Sequence, residues 1–214
     1  MMQLKSITAL SVLSLAMFSQ TSLANEPLQI DDRKHSFGLV TGVASGEYKN
    51  SRSDGDGFAQ AYLFYNYQLF NNFSIELAYT RAKEIDDWDW DCDEVEDDEK
   101  WVCTYEDDSD PLFNLPANEL EMDGFVFAVK GHLPISQRNS LYAKVGAQYY
   151  DYDFGYDDNN IIAAPKGDSG TGLFLEAGWQ YRWNCGIGMN VGLRYQDMGD
   201  LTFTSPNVGI SYAF

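Results

Sequence analysis

Two stretches of the carboxyl-terminal 30 residues alternate strictly between apolar and polar or small side chains. Over 187–196 the odd positions are Ile, Met, Val, Leu and Tyr, and the even positions are Gly, Asn, Gly, Arg and Gln. The alternation returns over 207–214 and ends on an aromatic residue. A two-residue period predicts β-strands with one apolar face. Such strands fit a barrel in lipid better than a soluble sandwich, with the polar face inside.

Eight segments of the chain show this alternation. They are Ser36–Ala44, Phe58–Leu69, Phe73–Arg81, Gly124–Leu133, Ser140–Tyr150, Gly172–Trp183, Ile187–Met198 and Asn207–Phe214. Nine residues at about 3.3 Å each, tilted by about 45°, rise roughly 21 Å, close to the apolar band of an outer membrane. The pattern predicts an all-β fold, an eight-stranded antiparallel up-and-down transmembrane β-barrel.

The amino terminus has the features of a secretory signal peptide over residues 1–24. Lys5 supplies a positive charge, Ile7–Phe18 is mostly apolar, and Ser22-Leu23-Ala24 offers small residues for cleavage. Residues 25–34 would then be a periplasmic lead-in, and 35–214 the barrel. The formal net charge of −19 excludes nucleic acid as a partner, because phosphate contacts need basic groups.

The predicted connections alternate in length, which orients the barrel. Those after the second, fourth and sixth strands are short, whereas 46–57, 82–123, 151–169 and 199–205 are longer. Short turns belong on the periplasmic side and long loops outside. A three-residue turn over 184–186 places Glu176 opposite Arg194. A similar turn over 70–72 pairs Leu69 with Phe73 and sets Asn66 opposite Glu76.

Three runs of residues resemble a known family: Gly167–Leu173, Gly178–Trp183 and Val208–Phe214. They are similar to the OmpA-like, porin-family eight-stranded outer-membrane barrels, and the resemblance spans nearly all of the mature chain. It implies a location in the outer membrane of a Gram-negative bacterium, in contact with membrane lipid and lipopolysaccharide. Many members carry a peptidoglycan-binding domain after the barrel, but we expect none here and therefore no cell-wall tethering.

Aromatic residues make up 15% of the chain, and the strand map gathers several on the outer surface. Those near the periplasmic ends are Tyr65, Tyr67, Phe73, Tyr181, Trp183, Tyr212 and Phe214. Aromatic girdles of this kind mark the membrane interfaces of such barrels. The family resemblance further implies that Phe214, with Tyr212 two residues before it, is the signal that the barrel-assembly machinery reads.

Six charged side chains face the predicted lumen, two acids and four bases. They are Glu76, Lys130, Lys144, Glu176, Arg182 and Arg194. The interior of an eight-stranded barrel is barely wider than its side chains, so we expect these groups to pair and fill it. They form either a structural polar core or, as the resemblance also suggests, the gate of a narrow pore.

The segment 84–110 holds 15 acidic residues and one lysine, with three tryptophans between them. It is either a solvated, partly disordered loop or a site for a hard cation such as Ca²⁺. The candidate ligands are Asp89, Asp91, Asp93, Glu94, Glu96 and Asp97. Through bridging cations, the loop would contact the phosphorylated sugars of the outer leaflet. No other cofactor is expected.

Two of the three cysteines lie in this acidic segment. Cys92 and Cys103 would face an oxidising compartment, which favours a disulfide between them. Such a bond typically contributes roughly 2 to 4 kcal/mol. Cys185 is left over in a short periplasmic turn, and the sequence does not exclude the alternative pairings.

The sequence gives little support for an enzyme. Its two histidines, His35 and His132, map near the periplasmic rim, away from the acyl esters of the outer leaflet. A general base must lie within about 3 Å of its nucleophile. We therefore predict a non-enzymatic barrel with a structural or surface-interaction role through its extracellular loops. The alternatives are a narrow ion or small-solute pore gated by inward charge pairs and, less favoured, a lipid-modifying enzyme.

Overall fold

A computed structural model describes residues 33–49, 51–85, 90–95, 100–105, 112–115, 117, 119–155 and 167–214. The predicted signal peptide and most of the predicted lead-in lie outside these residues. Within the described part of the chain, no helix has the length and hydropathy needed to cross a bilayer.

The described elements are ten strands and one short 3-10 helix. In chain order they are β1 (His35–Tyr48), β2 (Ser51–Phe70), β3 (Phe73–Glu84), β4 (Trp90–Val95), β5 (Lys100–Tyr105), the 3-10 helix (Leu112–Asn114), β6 (Glu119–Pro134), β7 (Asn139–Gly155), β8 (Asp168–Arg182), β9 (Ile187–Met198) and β10 (Leu201–Ala213). Eight of the strands close into an antiparallel barrel in the order β1-β10-β9-β8-β7-β6-β3-β2. The predicted fold class is confirmed.

Side chains alternate between the two surfaces of the barrel as the sequence period predicts. Leu193 and Ile210 are 56% and 65% exposed on the outer surface, and Leu175 shares that surface at 37%. Their neighbours Arg194 and Glu176 are buried inside. An apolar belt that would be costly in water is favourable against lipid tails.

The strand register agrees with the turn arithmetic at the positions that matter for the interior. Glu176 pairs with Arg194, and Asn66 pairs with Glu76. The prediction for the turn after β2 is wrong in detail, because Phe70 rather than Leu69 pairs with Phe73. A register shift between residues 68 and 70 makes up the difference, as a β-bulge does by adding one unpaired residue.

The two ends of the barrel differ in their connections. Three short turns lie at one end of the barrel, which we call the turn end. The first and last residues of the barrel meet there, since the His35 amide donates to the Phe214 carbonyl. The opposite end, the loop end, carries the long connections 85–118 and 156–167. The connection 85–118 contains a separate β4–β5 hairpin and the 3-10 helix.

Two of the predicted long loops are instead tight turns between long strands. β1 continues to Tyr48 and β2 starts at Ser51, while β10 starts at Leu201 after Gly199 and Asp200. Gly199 has a φ of 73°, which glycine adopts without a steric penalty. The predictions of loops over 46–57 and 199–205 were therefore wrong, because the backbone ladder extends further than the lipid-facing alternation shows.

The barrel interior changes character along its axis. Its middle holds buried charged and amide side chains, as predicted, whereas the loop end holds an apolar cluster that we call the apolar plug. The plug is formed by Ala44, Tyr48, Phe58, Ala82, Leu112, Phe113, Ala117, Leu120, Met122, Tyr150, Tyr152, Phe154, Met198, Leu201 and Phe203. The prediction of a polar inner face is wrong at this end, because apolar side chains pack against one another there and leave water.

Candidate functional site

Four charged side chains from four strands meet in the middle of the barrel; we call them the central charge cluster. They are Glu76, Lys144, Glu176 and Arg194. Lys144 Nζ lies 2.7 Å from Glu76 Oε1 and 3.0 Å from Glu176 Oε1, and Arg194 Nη2 lies 2.7 Å from Glu176 Oε2. All four are almost completely buried, with Glu76 at 0% and Arg194 at 1% exposure. Two acids and two bases give a cluster without net charge.

Neutral donors complete the coordination of both carboxylates. The hydroxyl of Tyr62 donates to Glu76 Oε1 over 2.5 Å, and the Asn66 amide donates to Oε2 over 2.7 Å. The Tyr142 hydroxyl donates to Glu176 Oε1 over 3.0 Å. Buried charges are tolerated when they are paired and hydrogen-bonded in this way.

Amide side chains extend the network toward the loop end. Arg194 Nη1 donates to Gln60 Oε1 over 3.1 Å, and Gln60 donates in turn to Gln196 Oε1 over 2.5 Å. Gln196 then donates to Gln148 Oε1 over 2.6 Å. The Arg194 guanidinium also lies 3.9 Å from the centre of the Tyr62 ring. This stacking fixes the arginine across the lumen.

Lys130 and Arg182 differ from the other predicted lumen charges. Lys130 Nζ donates to Gln180 Oε1 over 2.8 Å and lies 4.7 Å from the centre of the Tyr142 ring. Arg182 is half-buried at the last position of β8. Both lie toward the turn end of the barrel. Glu76, Lys144, Glu176 and Arg194 form the ion pairs of the central charge cluster, and a network of all six charges stays a prediction.

The apolar plug is built from stacked aromatic rings. Phe58 stacks on Phe203 with ring centres 4.9 Å apart, and Phe113 stacks on Phe58 at 6.1 Å. Tyr48 and Phe154 meet edge to face at 5.4 Å. Contacts of these geometries are favourable beyond the area that they bury.

The chain closes the plug by turning inward before β6. Leu112 N donates to Ala117 O over 2.8 Å, which pins a tight turn whose side chains point into the barrel mouth. Phe113 has a φ of 52°, a strained conformation for a residue with a side chain. Tyr152 lies in the part of β7 beyond the lipid-facing residues, and burial raises the pKa of its hydroxyl.

The middle of the barrel has almost no open space. A cavity beside the central charge cluster has a volume of only about 10 Å³, which is room for about one water molecule. Tyr62, Leu112 and Phe113 lie in the interior but were not among the predicted site residues. The even-position parity of β2 would have placed Tyr62 inside, but no local pattern announces that residues 112–117 fold back into the barrel.

The acidic segment is described only in part. Asp91, Asp93 and Glu94 belong to β4, whereas Asp89, Glu96 and Asp97 lie outside the described residues. The β4–β5 register sets Cys92 directly opposite Cys103. The disulfide and the cation site stay predictions. At the other end of the barrel, Cys185 is exposed in the turn between β8 and β9.

The histidines and the aromatic surface lie where the strand map places them. His35 Nδ1 is 2.6 Å from the Tyr65 hydroxyl, and the His35 ring stacks on Phe214 at 5.6 Å. His132 is half-buried near the end of β6, also at the turn end. The predicted outward aromatic residues are exposed, except Tyr181, which is half-buried and packs against Trp183 at 4.8 Å.

A closed antiparallel barrel with an apolar outer surface defines the class of transmembrane β-barrels. The profile of the family described as outer membrane protein beta-barrel domain matches residues 10–214, and the chain belongs to that family. The protein therefore lies in the outer membrane. Barrels of this class have short periplasmic turns and longer exterior loops, which predicts that the loop end faces the exterior and the turn end the periplasm.

Solved structures support the fold at low sequence identity. Neisserial surface protein A aligns with a TM-score of 0.59 and 10% identity, covering 84% of this chain and 97% of its own. Ail, the attachment invasion locus protein of Yersinia pestis, aligns with a TM-score of 0.53 and 14% identity in its complex with the heparin analogue sucrose octasulfate. That alignment covers 86% of this chain and 100% of Ail. A search of curated proteins found no match to the sequence.

Proposed function

We propose that the protein is a non-enzymatic outer-membrane barrel that acts through its exterior loops and does not conduct in this conformation. The observation that carries the proposal is the filled interior, in which the central charge cluster is buried below the apolar plug. A hydrated ion would have to break the paired carboxylates and then cross a layer of stacked rings. Both steps are costly, because charges lose their hydration in an apolar medium.

The charge of the exterior loop favours a cationic partner. Residues 84–110 carry 15 acidic side chains and one lysine, which attract basic surfaces and repel anions. The Ail complex holds a sulfated sugar, a ligand of the opposite kind. We therefore propose that the loop of this protein binds basic peptides or proteins rather than sulfated polysaccharides.

The test uses the mature protein in nanodiscs of zwitterionic lipid, with poly-lysine and sucrose octasulfate as probes. We expect poly-lysine to bind, and deletion of 86–110 to weaken binding more than tenfold. Deletion of 157–166, in the other long exterior connection, is the matched control and should change binding less than twofold. Equal loss from both deletions, or preferential binding of the octasulfate, would contradict the proposal.

A divalent cation is a second proposed ligand of the same loop. Clustered carboxylates are the ligands that Ca²⁺ prefers, and a bound ion would bridge the loop to lipopolysaccharide phosphates. The proposed ligands are Asp89, Asp91, Asp93, Glu94, Glu96 and Asp97. Calorimetry with calcium and magnesium chloride tests the idea, and the absence of heat at millimolar ion would remove it.

A gated pore is the alternative, and one observation favours it. A continuous tract of polar side chains runs from Lys130 through the central charge cluster to Gln148. Planar-bilayer recording distinguishes the two functions. Steady single-channel steps in the wild type, abolished by Glu176→Ala or Arg194→Ala, would establish the pore and overturn the non-conducting barrel.

We propose that lipid modification is not the function of this barrel. Both histidines lie at the turn end, whereas acyl esters of the outer leaflet lie at the loop end. A base must be within hydrogen-bond reach of its nucleophile. We expect deletion of the gene to leave the lipid A pattern unchanged in mass spectra, and an altered acylation pattern would restore the enzyme hypothesis.

A further inference from the structure

The turn end of the barrel opens into a cavity of about 330 Å³, which we call the vestibule. Its floor is formed by Lys130 and Gln180, and its wall includes the turn between β6 and β7. The volume lies at the lower end of the range of small-molecule sites. The filled middle of the barrel does not by itself require an open, polar cavity at the turn end.

The vestibule is strongly basic in a protein that is acidic overall. Its basic side chains are Arg33, Lys34, Lys130, His132, Arg138 and Arg182. None of the described residues that line it is an aspartate or a glutamate. Cations that converge on a concave polar surface raise the local concentration of anions.

Lys130 is the residue whose surroundings most favour an anion in the vestibule. It is 8% exposed, and it lies directly opposite Lys144 in the β6–β7 register. Like charges in directly opposed positions are destabilising. Lys144 Nζ forms ion pairs with Glu76 and Glu176, whereas Lys130 Nζ donates a hydrogen bond to the neutral amide oxygen of Gln180.

Arg138 shows the same feature at the rim. Its Nη1 donates to the Tyr181 hydroxyl over 3.3 Å, again a neutral oxygen, and the side chain is exposed to the periplasm. Lys130 and Arg138 belong to the lining of the same cavity, and the amide groups of Asn66, Asn72 and Gln180 line it as well.

We propose that the vestibule binds a phosphate-bearing anion from the periplasmic side. A phosphate offers several strong acceptor oxygens, which suit a mixed set of ammonium, guanidinium and amide donors. Its charge would complement the basic lining of the vestibule, whose described residues include no carboxylate. The site is separate from the exterior loop, so it goes beyond the proposed surface function.

Isothermal titration calorimetry of the mature protein in neutral-detergent micelles, with inorganic pyrophosphate as the probe, tests the proposal. We expect wild-type binding that weakens as salt is raised. Lys130→Met should weaken it at least tenfold and Arg138→Gln about threefold, since both remove a charge that faces the anion. The matched control is Lys83→Met, which removes an exposed lysine at the loop end and should change the affinity less than twofold.

Folding is monitored separately, because Lys130 is buried. If Lys130→Met does not fold, Arg138→Gln and Lys34→Gln carry the test, since both side chains are exposed. Undetectable binding by the wild type at about 10 mM probe, or equal affinity in all variants, overturns the proposal. Binding only after Asp31→Asn and Asp32→Asn would also overturn it, because those carboxylates would then be the counter-ions of the vestibule.

The phosphate has two possible sources, and lipid composition separates them. The titration is repeated in nanodiscs of phosphatidylcholine with and without phosphatidylglycerol. A fall of more than tenfold in pyrophosphate affinity with the anionic lipid assigns the site to an inner-leaflet headgroup. An unchanged affinity assigns it to a soluble phosphate compound, and either result retains phosphate recognition by the vestibule.

Discussion

At the loop end the barrel interior is apolar and filled, whereas at the turn end it is polar, open and basic. The same strands form both ends, and at both ends every second side chain of a strand points inward. The plug buries Phe58 and Phe203 from two of these strands, while Lys130 and His132 from another line the vestibule. An inward position therefore does not by itself set the polarity of a side chain. Polar side chains are tolerated where water or a polar partner is available, and apolar side chains fill the rest.

The largest expected effect comes from the cluster that separates the two ends. Glu176→Ala leaves Lys144 and Arg194 buried with one carboxylate between them, so we expect a loss of about 3 to 5 kcal/mol in unfolding free energy. Urea unfolding in phospholipid vesicles measures it. Glu121→Ala is the control, because Glu121 forms exposed ion pairs with Arg81 and Lys83. If both variants lose the same free energy, the cluster does not hold the interior together.

The next effect tests whether the loop end depends on its plug. Phe113→Ala removes a buried ring that stacks on Phe58, and we expect a loss of about 3 kcal/mol by the same measurement. Phe113→Gly should be milder by roughly 1 kcal/mol, because glycine relieves the positive φ.

Phe70→Ala is the matched control at the turn end, since that ring is 70% exposed. We expect it to cost clearly less than Phe113→Ala, because little of the ring packs against the barrel and its removal leaves no buried cavity. Equal losses at Phe70 and Phe113 would mean that the two ends do not differ in packing.

A smaller effect tests how tightly the plug is packed. A Cβ at Gly46 would lie 2.9 Å from the Phe58 ring and 3.0 Å from the Phe113 ring. We therefore expect Gly46→Ala to cost about 1 to 3 kcal/mol through overpacking. A Cβ at Gly57 meets Val43 at an ordinary 3.4 Å, so Gly57→Ala should be nearly neutral. A neutral Gly46→Ala would show that the plug can yield.

The smallest effect is expected at the outer rim of the loop end. Lys83 Nζ lies 2.8 Å from Glu119 Oε1, with both side chains about half exposed. An exposed pair contributes less than about 1 kcal/mol, so Lys83→Met should shift the urea midpoint only slightly. Raising the salt concentration should remove even that difference from the wild type. A loss comparable to that of Glu176→Ala would contradict the distinction between rim and interior.

Much of the barrel could be predicted because the pattern that specifies each strand lies within that strand. Each strand carries its own two-residue period, and a short turn then fixes the register of its neighbour. From these two rules came the eight strands, the outward Leu193 and Ile210, and the opposition of Glu176 and Arg194. The boundaries were less accurate, since beyond the lipid the backbone ladder continues without an apolar outer face to mark it.

The sequence by itself determined which side chains face lipid and which face the lumen, because pleating reverses the side at every residue. The tertiary structure alone decided how the lumen is filled. Leu112 and Phe113 enter the barrel from a connection with no periodic pattern, and Lys130 reaches the vestibule rather than a carboxylate. These contacts join residues far apart in the chain, and they form only once the barrel has closed around them.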